Sequence, residues 1–376
     1  MIYGNFNFVE KFIINFSDKD IENAIKEISI KIKSSLSGPI KIFFIFFTPH
    51  YNPSILLENI KYILNPEFIF GLQSPYLIFE DKILEKGLIS LCINKNMDIK
   101  YNFIKENNQN TIESSLRKFS LKLREKKFFL SLVSKEFNIY ETLRAFELVF
   151  GFGNTFGGGF LKKYSDYPFK IINDDINEGF LTLALSDSET SIYKISGFMP
   201  VGKPFVINKV SLTQRIIKQI NNDEPIKIFK NYFGDKSEFL KKNKLLNLYP
   251  FIVKEKNKPF TISVTDALDD GTLFYIGDIK KNTKANIAIY NPNIAYEEIK
   301  NIKLNEDKET LLIIINTTIR KKILKNYADK EIFFIKNNIS YKYKVIGFYL
   351  DYSFLSNEIL RRIILDSTSL MLIFLK

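Results

Sequence analysis

The sequence predicts a mixed α/β fold, two domains of mixed sheets flanked by helices, and three observations carry that expectation. A strand–loop–helix–strand order recurs three times. The strands of those units are continuous apolar runs, as in strands covered on both faces. Further apolar runs between the units read as antiparallel strands, which favours mixed sheets over a doubly wound one. The uneven spacing of the units excludes a solenoid.

In the first unit, Lys41 to Phe47 (KIFFIFF) is a buried strand broken by Thr48-Pro49-His50-Tyr51-Asn52-Pro53. Ser54 is the expected N-cap of a helix with Ile55, Leu56, Ile60 and Leu64 at helical spacing, and Pro66 ends it. Glu67 to Gly71 is a second strand, which meets the polar turn Gln73-Ser74-Pro75. In the second unit, Phe128 to Val133 is a strand, Ser134 to Asn138 a loop and Tyr140 to Phe150 a helix, followed by a glycine cluster that includes Gly157, Gly158 and Gly159. In the third, Thr310 to Ile315 is a strand, Asn316-Thr317-Thr318 a loop, Lys321 to Asn326 a poorly marked helix and Lys344 to Tyr349 a strand. Gly87 to Asn94, Gly179 to Leu185 and Ser191 to Gly197 are the antiparallel candidates. Gly202-Lys203-Pro204 ends the strand-rich half. Ser211-Leu212-Thr213 is expected to open a helix through Arg215, Ile216, Ile217 and Ile220, and Ile226 to Gly234 reads as a helix with a glycine stop. A domain boundary therefore falls near 205–212.

Composition excludes more chemistry than it offers. The 376 residues are 45% hydrophobic and 26% charged, an ordinary globular balance. A single cysteine (Cys92) and a single histidine (His50) rule out a disulfide framework and zinc sites of the Cys₄ or Cys₂His₂ type within one chain, and any Ser-His-Asp triad would have to use His50. A carboxylate-only metal site or a carboxylate-pair hydrolase stays open. The net charge of +12 would suit nucleic acid or an anionic membrane face, but lysine carries nearly all of it, and arginine, the better reader of phosphate and bases, stands at only seven positions. Together with the excess of Ile, Asn and Phe, this is the composition an AT-rich genome produces. No basic region precedes a long apolar run at the start, and the apolar runs are shorter than the roughly 20 residues a spanning helix needs, so the cytoplasm is the expected location.

The order of motifs resembles the FIST family. The first half resembles FIST-N through its first strand, the Gly71-Leu72-Gln73-Ser74 turn, the Gly157-Gly158-Gly159-Phe160 cluster and the stretch Gly197-Phe198-Met199-Pro200-Val201-Gly202-Lys203-Pro204. The second half resembles FIST-C through Pro225 to Gly234, Tyr249-Pro250-Phe251, Asp269-Asp270-Gly271-Thr272-Leu273, Ile315 to Arg320 and Gly347-Phe348-Tyr349. The resemblance covers roughly residues 25 to 355 and sets the expected domains at 25–208 and 209–355, with 356–376 an extension packed on the core. The chain departs from the family where a cysteine is common, at Thr317 or Thr318, and has Asp351-Tyr352 where a Gly-Glu pair is common. The family implies a cytoplasmic bacterial sensory module for small molecules such as amino acids, acting in signal transduction. With no output module expected in this chain, a separate signalling partner would read the change.

The candidate binding residues sit at strand ends, where α/β sheets gather ligands. Arg320 follows a buried strand and would clamp a carboxylate bidentately, with Asn316 and Thr317 as hydrogen-bond partners; the plain alternative is a surface ion pair. Asp351 would take the amino group of an amino acid, beside Tyr349. Gln73 and Ser74 hold the corresponding place in the first unit. Gly157, Gly158 and Gly159 would bring backbone N–H groups to an anion, or else make a tight turn between sheets. His50 would line the same cleft, with an axial haem role as the cofactor alternative and an ordinary loop histidine as the plain reading. No cofactor, metal or catalytic residue is otherwise expected. The reading is a sensory ligand-binding protein; the alternatives are a carboxylate hydrolase, which needs converging acids with shifted pKa values, and a nucleic-acid-binding protein, which needs lysines gathered on one face.

Overall fold

The computed structural model describes residues 12–36, 38–93, 99–123, 128–152, 154–161, 171–173, 176–185, 190–212, 215–256, 258–303, 310–339 and 343–375. Its plan is one arrangement of strands used three times. The first copy runs β1 (Phe12–Ser17), α1 (Ile21–Ser35), β2 (Ile42–Phe47), α2 (Pro53–Ile63), β3 (Phe68–Gln73), the hairpin β4 (Leu77–Phe79) and β5 (Lys82–Leu84), and β6 (Leu88–Ile93). The second runs β7 (Ile99–Ile104), α3 (Gln109–Ser120), β8 (Phe128–Val133), α4 (Ile139–Phe150), β9 (Thr155–Gly159), the hairpin β10 (Ile171–Asn173) and β11 (Ile176–Asn177), and β12 (Phe180–Leu185). The third opens with β13 (Thr190–Ile195). An insertion follows: β14 (Phe198–Ser211), β15 (Ile216–Ile220), α5 (Lys227–Phe233), α6 (Lys236–Lys242), β16 (Phe251–Glu255), β17 (Lys258–Ala267), β18 (Leu273–Ile276) and β19 (Thr283–Tyr290). The third copy then resumes with α7 (Pro292–Lys300), β20 (Leu311–Thr317), α8 (Thr318–Leu324), α9 (Tyr327–Asn338), β21 (Lys344–Leu350), the hairpin β22 (Tyr352–Asn357) and β23 (Arg362–Asp366), and β24 (Leu370–Leu375).

Each copy builds a six-stranded sheet whose last two strands come from another copy. The orders are β1-β6-β2-β3-β10-β11, β7-β12-β8-β9-β22-β23 and β13-β24-β20-β21-β4-β5. The central pair of each, β2 with β3, β8 with β9 and β20 with β21, is parallel, and the neighbours are antiparallel. The hairpins thus pass in a ring: first copy to third sheet, second to first, third to second. The inserted segment closes its own antiparallel barrel, β14-β15-β18-β17-β16-β19.

Alternation along each strand explains the continuous apolar runs. Phe44 and Phe46 of β2 face a central core shared by all three sheets, with Leu130 and Phe156 from the second and Ile313, Phe348 and Ile373 from the third. Phe43, Ile45 and Phe47 face the opposite way, into the layer of α1 and α2. Both faces are covered, so no polar residue interrupts the strand. On the axis, Phe46 stacks on Phe348 with ring centroids 5.0 Å apart. The gap left there is about 30 Å³ and lined by apolar side chains, which give a water no hydrogen-bond partner. Cys92 of β6 is fully buried, and burial pushes its thiol up to about 12. In the native protein Cys92 is therefore expected to resist alkylation that goes to completion in denaturant; fast labelling of the folded chain would contradict that burial.

Several elements differ from expectation. The first helix of the first parallel unit starts at Pro53, and its N-cap is Asn52, whose Oδ1 accepts from Ser54 N at 2.9 Å. The second copy repeats this loop: Thr48-Pro49-His50-Tyr51-Asn52 is matched by Ser134-Lys135-Glu136-Phe137-Asn138, each with a buried aromatic and an Asn cap. The helix expected through Arg215 to Ile220 is strand β15, paired with β14 and β18; Thr213 lies outside the described residues. Three β-branched isoleucines at 216, 217 and 220 satisfy helical spacing, yet they pack in the barrel wall. The glycine cluster is not a turn. Gly157, Gly158 and Gly159 are consecutive residues of β9, paired on both sides. A Cβ at Gly158 would overlap Tyr352 O and one at Gly159 would overlap Val133 O, so close backbone approach explains them.

The stretch at 197–204 does not end a strand-rich half but enters the barrel. β14 runs on to Ser211, with a register break between Val201 and Phe205 where Pro204 sits. Gly202, at φ +70°, leaves room for the Tyr232 ring, whose hydroxyl donates to Lys203 O at 3.0 Å. Residues 208 and 209, the two sides of the expected boundary, are neighbours in β14, and 356–376 supplies β23 and β24 to two sheets.

Candidate functional site

The expected strand-end residues do gather, but as a buried network. Asn316 is the next-to-last residue of β20; its Nδ2 donates to Tyr349 Oη at 3.2 Å, and its Oδ1 accepts from Thr317 N at 2.8 Å. Burial drives the Tyr349 phenol well above its ordinary range. Ser74 Oγ accepts from Tyr349 N at 3.0 Å and lies 2.7 Å from Tyr76 O and 2.9 Å from Tyr349 O, so it ties the donated hairpin to the third sheet. Asp351 accepts from Thr318 Oγ1 at 2.9 Å and Leu161 N at 3.0 Å, and its own N–H donates to Gly159 O at 2.9 Å. The carboxylate expected to meet a ligand instead joins the second and third copies. Gln73 is buried, with its Oε1 unpartnered. His50 stands exposed on its loop, Nδ1 3.3 Å from Thr48 Oγ1, at a position the second copy fills with Glu136.

Arg320 is fully buried, and its guanidinium is spent inside the protein. Nε and Nη2 donate to Glu331 of α9 at 3.0 and 2.6 Å, and Nη1 donates to Ser196 O at 2.6 Å and Thr368 O at 2.8 Å. Tyr290 completes the group by donating to Glu331 Oε1 at 2.9 Å beneath the cation. Burial opposes the charge on Arg320, but the facing Glu331 outweighs it and raises the guanidinium pKa.

Ser196, whose carbonyl Arg320 holds, lines a cleft. It measures about 280 Å³ where the second sheet, third sheet and barrel meet. Lys194 and Ser196 come from the end of β13, Glu298 from α7, Ser353 and Asn357 from β22, and Asp366 from the end of β23; Phe260, Phe354 and Met371 supply apolar wall. Asp366 is 2% exposed and accepts from Thr368 N at 2.7 Å, Ser369 N at 3.1 Å, Ser369 Oγ at 2.7 Å and Thr261 Oγ1 at 3.0 Å, with Lys194 Nζ at 2.5 Å. Burial alone would raise its pKa; the lysine charge and these donors overcome that and bring it down to about 2. Glu298 uses one oxygen: Oε2 accepts from Ser196 N at 2.7 Å and Gly197 N at 3.1 Å, while Oε1 carries no hydrogen bond among the described residues.

The third copy departs from the other two at this cleft. In copies one and two, the turn before the return strand is a glycine whose carbonyl takes the N–H of a hydroxyl residue: Thr48 N to Gly87 O at 3.1 Å and Ser134 N to Gly179 O at 3.0 Å. In copy three the turn is Asp366-Ser367-Thr368-Ser369, with Thr317 Oγ1 donating to Ser367 O at 2.7 Å and Ser367 Oγ to Ser263 Oγ of the barrel at 2.6 Å. Lys194, Glu298 and Asp366 were missed from sequence. The available signal was that run of four polar residues between the apolar strands Arg362–Asp366 and Leu370–Leu375.

The alternatives fare as follows. Among the described residues no group of three or more His, Cys, Asp or Glu is placed to hold a metal, and no helix is long and apolar enough to cross a membrane. Exposed lysines stand on α1 (Lys26, Lys33), on the barrel (Lys203, Lys218, Lys254) and on α8 and α9 (Lys322, Lys330), a spread that counts against a nucleic-acid face. Two acids with raised pKa values, Glu147 and Asp278, do share a second cleft, but each is engaged, Glu147 by Ile363 N at 2.6 Å and Asp278 by Arg362 Nε at 3.1 Å.

No curated protein matches the chain. The family model described as the FIST N domain matches residues 41–223, from the start of β2 to the turn after β15. That match takes in the first parallel pair, the whole second copy and the strand that enters the barrel; the likeness of the later residues to FIST-C rests on the motifs quoted above. The chain thus carries a FIST N domain over residues 41–223, and FIST domains are assigned to small-ligand sensing.

Proposed function

We propose that the protein is a sensor of a small amino-bearing molecule, an amino acid foremost, bound in the cleft of Lys194, Glu298 and Asp366. The carrying observation is the charge of its lining: two carboxylates face one lysine, and Glu298 Oε1 is unspent. An ammonium group would sit at Glu298, and the ligand carboxylate would turn to Lys194 and Asn357. The volume suits an amino acid better than a drug-sized ligand. Arg320 takes a positioning role, holding Ser196 and the 366–369 turn rather than the ligand. Because the cleft joins two sheets and the barrel, occupancy would shift their relative populations, and a separate cytoplasmic partner would read the shift as part of bacterial signalling.

Calorimetry of the full chain against amino acids, primary amines and simple carboxylates tests this. An amino acid is expected to bind, and Glu298→Gln, which keeps an acceptor for Ser196 N, is expected to weaken it about tenfold or more. Equal affinity in Glu298→Gln, or a preference for ligands without an amino group, overturns the reading.

A further inference from the structure

A second cleft, of about 490 Å³, lies between α4, the barrel and β23, and it collects arginine, a residue this chain uses sparingly. Of seven arginines in the sequence, three line it: Arg144, Arg215 and Arg362. Lysine supplies most of the positive charge elsewhere on the chain. Arginine differs from lysine in presenting a planar fork of donors that fits carboxylate and phosphate oxygens in pairs.

The three are not equivalent. Arg362 is taken, with Nη2 2.8 Å from Glu255 Oε2 and Nε 3.1 Å from Asp278 Oδ2. Lys280 also pairs with Glu255 at 2.8 Å, and Glu147, which accepts from Ile363 N at 2.6 Å, lines the same cleft. Arg215 is different. Its guanidinium carbon lies over the Tyr140 ring, with the Tyr275 ring centroid at 5.9 Å. Nη1 donates to Gly277 O at 3.3 Å and the guanidinium also reaches the Tyr275 hydroxyl, while Nε is buried with no partner. Arg144 is exposed at the mouth and pairs with no carboxylate among the described residues.

The phenols point to the same deficit. The hydroxyls of Tyr140 and Tyr275 are buried; the first lies against the Gly277 backbone and the second against Arg215, and neither donates to an acceptor among the described residues. Burial raises both phenols above their ordinary range, so each keeps its proton available to donate. Buried polar groups without partners are rare, and here three donors fall around one cleft. Three carboxylates line the cleft, Glu141, Glu147 and Asp278, but none accepts a hydrogen bond from these three donors among the described residues.

We propose that this cleft is a binding site for a small oxyanion, the carboxylate or phosphate group of a metabolite, gripped by Arg215 and Arg144 with the Tyr140 hydroxyl as a further donor. The site is separate from the amino-binding cleft and does not depend on that assignment. Because Arg215 and Asp278 belong to the barrel and Tyr140 and Arg144 to α4, an anion here ties the inserted barrel to the second copy.

The test is calorimetry of the full chain at fixed pH and constant ionic strength, titrating inorganic phosphate and, separately, succinate. Saturable binding of at least one is expected, and the stronger of the two names the source as phosphate or carboxylate. Arg144→Gln changes an exposed side chain and is expected to weaken binding about tenfold or more without moving the melting temperature. Tyr140→Phe is expected to weaken it several-fold, and Lys194→Met, in the other cleft, to leave it unchanged. No saturable binding of either anion overturns the proposal. So does binding that Arg144→Gln and Tyr140→Phe leave intact, or that Lys194→Met abolishes.

Discussion

Arg320→Met is expected to cost about 3–5 kcal/mol of stability, the largest loss of any single substitution considered for this chain. Glu331 is 1% exposed, and without its partner it remains a buried carboxylate facing only the Tyr290 hydroxyl. Ser196 O and Thr368 O lose their donor at the same time. Burial supplies the cost: a charge left in a medium of low polarity is worth far more than an exposed ion pair, and it is unscreened by salt. Guanidinium unfolding of the variant would show the drop as a lower midpoint. The double variant Arg320→Met/Glu331→Leu is expected to recover most of it, because two apolar side chains replace two charges of similar volume. A single-variant cost below about 1 kcal/mol would place this pair among ordinary surface bridges.

Asp366→Asn is expected to cost about 3 kcal/mol and to change the acid limb of stability. The carboxylate accepts from Thr368 N, Ser369 N, Ser369 Oγ and Thr261 Oγ1, and an amide turns its NH₂ toward part of that set. The sign in acid follows from the depressed pKa. A carboxyl held near about 2 in the native protein, against roughly 3.9 unfolded, adds stability above pH 4 and loses it as pH falls toward 2. That contribution is on the order of 2 kcal/mol. The gap between wild type and Asp366→Asn should therefore be widest at neutral pH and narrow between pH 4 and pH 2. A gap constant over that range would mean that the carboxylate is not held ionised by Lys194 and the turn.

What the sequence disclosed, and what it concealed, follows from the range of the interactions involved. The strands β2, β3, β8, β20 and β21 were legible because each is buried on both faces, so their runs are apolar without interruption. Helix α4 was legible from its period. The barrel was not. Its entry strand carries Pro200, Gly202 and Pro204, which read as a stop unless a bulge absorbs them, and β15 is short enough that its isoleucines fit either period. Arg320 was recognised as consequential, but its partner lies 11 residues on in another helix, and no local pattern distinguishes a guanidinium aimed at a ligand from one aimed at Glu331. The polar run 366–369 was visible and went unread, because its meaning depends on comparison with Gly87 and Gly179 at the equivalent turns.

The ring of exchanged hairpins sets an order of events during synthesis. Phe79 pairs with Ile346, and Gly158 with Ser353, so two of the three sheets stay incomplete until the last portion of the chain has left the ribosome. Until then β4, β9 and β13 present open edges, the surface most prone to pairing with a neighbouring nascent chain. The same closure that leaves the finished molecule without free interior edges makes its partial forms clients for chaperones, and a chain stopped anywhere before β22 would be expected to aggregate rather than yield a smaller folded unit.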